Sequence, residues 1–183
     1  MNEKRVYLTG FMTSGKSTIA PILANVLGFN FFDLDLEIEH REKSTVVEIF
    51  EQKGEKYFRE LEALVLKNIS TKGNVVVALG GGTITDDDNF NFLRDSGKII
   101  YLKISPEILY KRLKNKINRP LFRDLVLEER PKEDFIKRIN EILDSRSIYY
   151  EKADIIIEPG DQPFGLIVDK IVKKILVLFD EAN

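Results

Sequence analysis

Cysteine is absent from these 183 residues, and histidine occurs once, at His40. The first absence removes disulfides, thiolate catalysis and cysteine-held zinc or iron–sulfur centres. The second leaves no histidine cluster for a metal and no Ser/His/Asp triad. His40 lies in a charged run with Glu37, Glu39, Arg41 and Glu42 and reads as a surface helix residue. A net charge of -2 supplies no basic field for nucleic acid. No apolar run reaches the length of a membrane span, and the N-terminus lacks the apolar core of a signal peptide. Internal repeats, low-complexity tracts and linkers are also missing. What remains is 43% hydrophobic and 32% charged residues, enough for a sizeable core under a solvated surface. The expectation is one cytoplasmic domain over residues 1–183 with room for a small inserted lid, monomeric, with neither membrane nor nucleic acid as partner.

The most informative stretch is Val6-Tyr-Leu-Thr-Gly10-Phe-Met-Thr13-Ser14-Gly15-Lys16-Ser17-Thr18. A buried strand leads in, and Ile19–Leu27 leads out as a helix. Gly10, Gly15, Lys16 and Ser17 fit G-x-x-x-x-G-K-[ST], the phosphate-binding loop. A polyphosphate needs several backbone N–H donors converging on it, and a Cβ among them would block the approach. The following helix adds the positive end of its dipole. Lys16 brings a mobile charge to the outer phosphates, and the Ser17 hydroxyl can ligate Mg²⁺.

Along the rest of the chain short apolar runs alternate with helical stretches. Strands are expected at Lys4–Thr9, Asn30–Asp33, Asn74–Leu79, Lys98–Ile104 and Asp154–Glu158. Gly28 has the chemistry of a helix C′ cap, and Thr45-Val-Val-Glu48 that of a capping box. Helices are expected over Leu36–Arg41, from Thr45 to Phe50, over Lys56–Ile69 and Asp86–Arg94, from Ser105 to about Leu113, from Pro131 to about Tyr150, and over Phe164–Phe179. Lys114–Arg130 is the least regular part. Strands separated by helices imply an α/β fold: a parallel sheet covered on both faces, with ligands beyond the carboxyl ends of the strands. That rule brings the phosphate loop, Asp33/Asp35 and Gly80–Gly82 to one edge.

Each of these has a bland and a sharp reading. Asp33-Leu-Asp35 in an extended segment points both carboxylates to one side. One could hold a metal and the other take a proton from an acceptor hydroxyl. Alone, Asp35 is better explained as the cap of a helix starting at Leu36, with Asp33 a strand-end turn residue; beside a phosphate loop the catalytic reading prevails. Arg59 stands three residues before Glu62, a carboxylate at the edge of the apolar stripe, and could be pre-aimed at a planar carboxylate or form an ordinary helix pair. Gly80-Gly81-Gly82 leaves backbone bare for a ligand, where a tight turn would need one glycine. The basic segment Lys111–Arg123 reads as a lid that brings charge over transferring phosphates; a charge run is more often a solvated face. Arg146 continues the apolar stripe of Phe135, Ile139, Ile142 and Leu143, so it demands an anion, internal or bound.

Taken together, Gly10-Phe-Met-x-x-Gly15-Lys16-Ser17, Asp33-x-Asp35, Phe58-Arg59-x-x-Glu62, Gly80-Gly81-Gly82, Arg119-Pro-Leu, and Arg146 with Tyr150 resemble the bacterial shikimate kinases, in order and spacing, over nearly the whole chain. The resemblance implies a P-loop kinase fold, a three-layer αβα sandwich with a five-stranded parallel sheet in the order 2-3-1-4-5, a substrate-binding region at about 33–62 and a lid at about 112–130. It implies ATP and Mg²⁺ as cofactors and phosphorylation of shikimate at its 3-hydroxyl. ATP would be held by Gly10, Thr13, Ser14, Gly15, Lys16, Ser17 and Thr18, with Arg112 on adenine and Arg119 reaching the phosphates from the lid. Ser17 and Asp33 would serve Mg²⁺. Asp35, Arg59, Gly81, Gly82 and Arg146 would bind shikimate, and Lys16, Asp35 and Arg119 would carry the chemistry. One departure is visible: Thr13 stands where such loops usually have glycine. A gluconate or nucleoside monophosphate kinase, or a non-catalytic nucleotide-binding module, are the alternatives.

Overall fold

The structure, a computed structural model, describes residues 3–117, 119–160 and 162–180. Five parallel strands form one sheet: β1 (Arg5–Thr9), β2 (Asn30–Asp33), β3 (Val75–Ala78), β4 (Lys98–Leu102) and β5 (Ile155–Ile157), in the order β2-β3-β1-β4-β5. The helices are α1 (Lys16–Leu27), α2 (Leu34–Glu42), α3 (Val46–Ser70), α4 (Asp87–Ser96), α5 (Pro106–Leu113), α6 (Pro120–Leu127), α7 (Lys132–Tyr150) and α8 (Phe164–Asp180).

Period-two alternation sorts the strand residues. Tyr7, Val75, Val77, Ile99 and Tyr101 face one layer, where α2, α3 and α4 pack with Tyr150 of α7. Val6, Leu8, Val76, Ala78, Ile100 and Leu102 face the other, against α1 and α8. Burial on both faces explains the uninterrupted valines of β3. A third cluster joins Phe11, Leu109, Leu113, Phe122, Leu125, Phe135 and Ile139 beyond the end of the sheet. It packs the phosphate loop against α5, α6 and α7.

Local chemistry sets the ends of the helices. Gly28 closes α1 in the left-handed conformation at φ +69°. Thr45 and Glu48 form the expected capping box at the start of α3. Gly54, at φ +81° and ψ 168°, breaks α3 into two helical arms, which puts Phe58–Ile69 on a separate axis from the first arm. His40 is exposed, as its charged neighbours suggest.

Two elements differ from the sequence reading. α2 starts at Leu34, so Asp33 ends β2 and caps α2 at once, and Asp35 lies in the first helical turn. The stretch expected to be irregular contains α6, with Pro120 at its first position. Phe122 and Leu125, three residues apart, bury its inner side among residues of α5 and α7.

Candidate active site

The loop Gly10–Gly15 joins β1 to α1. Gly10 has φ +143°, and a Cβ there would stand 2.7 Å from the Leu102 carbonyl of β4. Only glycine fits. Gly15, at φ +107°, turns the chain into α1. Between them Thr13 has φ +62°, the left-handed region, where a β-branched side chain costs roughly 1–2 kcal/mol. The Thr13 carbonyl accepts a bond from Arg112 Nη1 at 2.9 Å, so α5 braces this peptide. Ser14 is buried and donates its N–H to Phe11 O at 3.1 Å.

A cavity of about 240 Å³ opens above the loop, lined by Thr13, Gly15, Lys16, Ser17, Thr18, Asp33, Asp35, Gly81 and Arg119 together with Met12 and Leu79. Elements far apart in the chain therefore meet where the strand order predicts. A larger cavity, about 440 Å³, lies between α5 and α7. Its Lys103 and Glu151 already pair with each other at 2.8 Å, and none of the predicted residues lines it.

Lys16 is buried, and its Nζ donates to the carbonyls of Gly10 and Phe11 at 2.8 and 2.9 Å. Burial pushes its pKa down to about 8, against the pull of Asp35 and Asp33. Asp35 moves the other way. Burial pushes its carboxyl up to about 6, Asp33 and Glu62 add to the rise, and Lys16 and Arg119 oppose it. Near neutral pH the site thus holds a carboxylate whose proton affinity lies close to ambient pH, as a general base requires.

Asp33 divides its two oxygens. Oδ1 accepts from the N–H groups of Asp35 and Leu36 at 3.2 and 3.4 Å and caps α2. Oδ2 accepts from Ser17 Oγ at 2.7 Å. A hydroxyl and a carboxylate oxygen side by side are the hard oxygen donors that a Mg²⁺ ion would take, so the Ser17–Asp33 pair fits such an ion by its donor chemistry. No cluster of three His, Cys, Asp or Glu side chains suited to a metal occurs among the described residues.

Gly80-Gly81-Gly82 behaves differently from either expectation. None of the three has positive φ. Each makes room for a particular side chain. A Cβ on Gly80 would stand 3.0 Å from Asp35 Oδ1 and 3.1 Å from Glu62 Oε1. One on Gly81 would stand 3.1 Å from Arg146 Nη1, and one on Gly82 3.1 Å from Arg59 Nη2. The Gly81 position is also 3.5 Å from Gly10 O and Met12 N, so this turn abuts the phosphate loop.

The two arginines are held from opposite sides. Arg59, on α3, bonds Glu62 at 2.8 Å and Glu55 at 3.3 Å. Glu62 is 1% exposed and takes a second bond from Thr83 Oγ1 at 2.7 Å. Arg146, on α7, donates to Gly81 O at 2.8 Å, and Tyr150 Oη donates to the same oxygen at 2.5 Å. No carboxylate of the described residues pairs with Arg146, whose hydrogen bond goes to a backbone carbonyl. Arg119, at the N-cap of α6, lines the cavity, and its Nε has no partner among the described residues.

Thr83 was not legible in advance. It lies 21 residues from Glu62, and nothing local distinguishes it from any threonine after a glycine turn. Phe11 of the loop stands edge-on to Phe122 at 6.1 Å, a contact between distant segments that no local pattern announces.

The family model for shikimate kinase matches residues 12–176. Over 170 residues the chain is 45% identical to a shikimate kinase of Chloroherpeton thalassium, covering 93% of this chain and 91% of that one. A solved shikimate kinase from Acinetobacter baumannii, in complex with shikimate, is similar at TM-score 0.85 and 32% identity, covering 99% of this chain and 96% of that one. Another, from Bacteroides thetaiotaomicron, is similar at TM-score 0.83 and 31% identity, over 93% and 97% of the two chains.

Proposed function

The chain belongs to the shikimate kinase family, and from that premise we propose how its residues divide the ATP-dependent phosphorylation of shikimate. The phosphate loop and Lys16 hold the triphosphate, with Thr18 at the start of α1. Arg112, braced on the loop, offers its guanidinium face to the base. Arg59 and Arg146 grip the shikimate carboxylate, and the Gly81–Gly82 backbone supports the ring. Asp35 takes the proton of the 3-hydroxyl as that oxygen attacks the γ-phosphorus. The bond from the γ-phosphorus to the β–γ bridging oxygen breaks in line, leaving ADP and shikimate 3-phosphate. Lys16, Arg119 and the loop amides stabilise the charge that spreads over the transferring group. Ser17 and Asp33 would hold Mg²⁺, which when bound neutralises charge on the β- and γ-phosphates. Lid residues at about 112–130 would close over the site and exclude water, while about 33–62 would form the acceptor side. Every side chain invoked comes from one chain, and the reading is of a monomer acting in the cytoplasm.

The observation that carries this division is the Gly80–Gly82 turn. It places Asp35, Arg59 and Arg146 against one stretch of backbone that itself touches the phosphate loop. A donor site and a site for a hydroxylated carboxylate are thereby adjacent.

The test is ADP release with shikimate, gluconate and nucleoside monophosphates side by side. Turnover with shikimate alone is expected. Strong turnover only with gluconate or a nucleotide would overturn the acceptor assignment. ATP binding without acceptor-dependent ADP release would leave a nucleotide-binding module.

A further inference from the structure

Glu62 is the buried carboxylate on which Arg59 leans, and both of its oxygens are engaged within the protein. Oε2 accepts from Arg59 Nη1 at 2.8 Å, and Oε1 accepts from Thr83 Oγ1 at 2.7 Å. Thr83 is fully buried. It opens the single 3₁₀ turn Thr83–Thr85 that follows the three glycines. Its backbone is held from both ends: the N–H donates to Gly80 O at 3.3 Å, and the carbonyl accepts from Asn89 Nδ2 of α4 at 3.2 Å. Asn89 is buried as well, and its own N–H bonds to Asp86 Oδ1, the cap of α4, at 2.9 Å. Gly80 lets these groups meet, since a Cβ there would stand 2.9 Å from Thr83 Oγ1 as well as against Glu62 Oε1. A run of buried hydrogen bonds therefore leads from α4 through Thr83 to Glu62 and ends on Arg59, beside Gly82. Asn89, Thr83 and Glu62 take no part in the chemistry described above. Arg59 also has a competing partner. Glu55, one turn back on the same helix, is exposed and accepts from Nη2 at 3.3 Å.

We propose that Thr83 is a positioning residue of the acceptor site: its hydroxyl fixes the rotation of the Glu62 carboxylate, and Glu62 so fixed aims the Arg59 guanidinium at the carboxylate of the acceptor. The inference rests on the reading of Arg59 as an acceptor ligand and goes beyond it. The terminal torsion of a glutamate is broad, so a carboxylate held at one oxygen is free to turn and one held at both is not. A hydroxyl donating to an ionised oxygen makes a charge-assisted bond, stronger than a neutral one. An arginine already ordered on a fixed partner loses less rotamer freedom when the acceptor binds. Without the hydroxyl, Glu62 keeps a buried oxygen that lacks a donor, and Arg59 is divided between a loose Glu62 and the solvent-side Glu55.

Initial-rate kinetics in both substrates, with thermal melts, on the full-length protein and its variants test this. T83V removes the hydroxyl at nearly constant volume. It should raise the KM for shikimate about five- to ten-fold and leave kcat and the KM for ATP within about two-fold of the parent. T83S keeps the hydroxyl and should hold the shikimate KM within about two-fold of the parent. T83A leaves room for a water beside Glu62, which spares the fold, and should show the same split at about three-fold. R59A completes a double-mutant cycle. Because Thr83 acts through Arg59, T83V should change the shikimate KM by less than about two-fold once Arg59 is gone. A threonine that merely supports the fold would lower the melting temperature of T83V and T83A without singling out the shikimate KM, and that result overturns the proposal. The proposal falls equally if T83S behaves as T83V does, or if the effects of T83V and R59A multiply. R59A also separates it from the reading beneath it. An unchanged shikimate KM in R59A refutes Arg59 as an acceptor ligand. A raised KM in R59A with none in T83V or T83A refutes the role of Thr83 alone.

Discussion

Replacing Asp35 by asparagine should make the protein more stable and far less active. The carboxyl is pushed from its ordinary 3.8 up to about 6 by burial, Asp33 and Glu62. A rise of about two units, at 1.36 kcal/mol each, means that the ionised group opposes folding by about 2–3 kcal/mol when the pH is well above 6. The folded state holds the proton more tightly than the unfolded chain. Stability from this group is therefore fully present below about pH 3.8 and is lost as the pH rises through about 6. The asparagine side chain carries no charge at any pH, so D35N gains at pH 8 what the parent loses. For a domain of this size that is roughly 5–10 °C in melting temperature. At pH 5 the gap should shrink to about half, because the parent is then mostly protonated in the folded state. Turnover should fall at least about 100-fold, the usual contribution of a general base, with ADP affinity nearly unchanged. In the parent, kcat/KM should decline below about pH 6. Thermal melts of both proteins at pH 8 and pH 5, with ADP release at each, read all of this. A D35N melting temperature at or below the parent's at pH 8, or a gap that does not change with pH, would refute the electrostatic argument. Unchanged turnover would remove Asp35 from the chemistry.

Three further substitutions probe the acceptor side and the lid. R146A should raise the KM for shikimate about 10- to 100-fold and that of ATP by less than about three-fold, since it loses a charge-assisted contact worth about 1.5–3 kcal/mol; initial-rate kinetics in both substrates check it, and an ATP-side defect would put Arg146 in the wrong half of the site. G82A introduces a Cβ 3.1 Å from Arg59 Nη2 at a position with φ -105°, where alanine is not strained, so it should raise the shikimate KM several-fold with a melting temperature within about 2 °C of the parent. F122A empties a fully buried ring position and should cost about 3–4 kcal/mol in urea unfolding, with kcat falling more than either KM as Arg119 loses its support.

Much of the fold was legible because strong periodicity and strong punctuation agreed. The valines of β3, the loop motif, Gly28 and the Thr45 capping box all specify locally what the structure contains. Asp33 and Asp35 were paired for a reason that does not hold. Alternation in a strand was expected to align them, but the strand ends at Asp33 and the helix begins one residue later. They converge because a cap and a first-turn residue share one helix end. Boundaries of this kind depend on which backbone hydrogen bonds win, and a junction without a loop offers no turn residue to announce it. α6 was hidden for another reason: charged residues on and around it dominate a short segment whose inward side chains are Phe122, Leu125 and the half-buried Val126. The three glycines were recognised as unusual, but their use was not visible. Which side chain fills the space of an absent Cβ depends on α2, α3 and α7 arriving from elsewhere.

Phe122 also limits how Arg119 can travel. The ring is sealed in the cluster that holds Phe11 of the phosphate loop, and α6 is further tethered by Asp124 to Arg138 of α7 at 2.6 Å. Arg119 stands three residues before that ring, within one helical turn, about 5 Å along an axis. It cannot swing out on a long flexible flap unless Phe122 leaves its socket, which exposes an aromatic ring at a cost of about 2–3 kcal/mol. The geometry is that of a short lever on a buried pivot. Because the pivot is shared with the loop through Phe11, the start of α6 at Arg119 and the turn Gly10–Gly15 are registered on one and the same cluster.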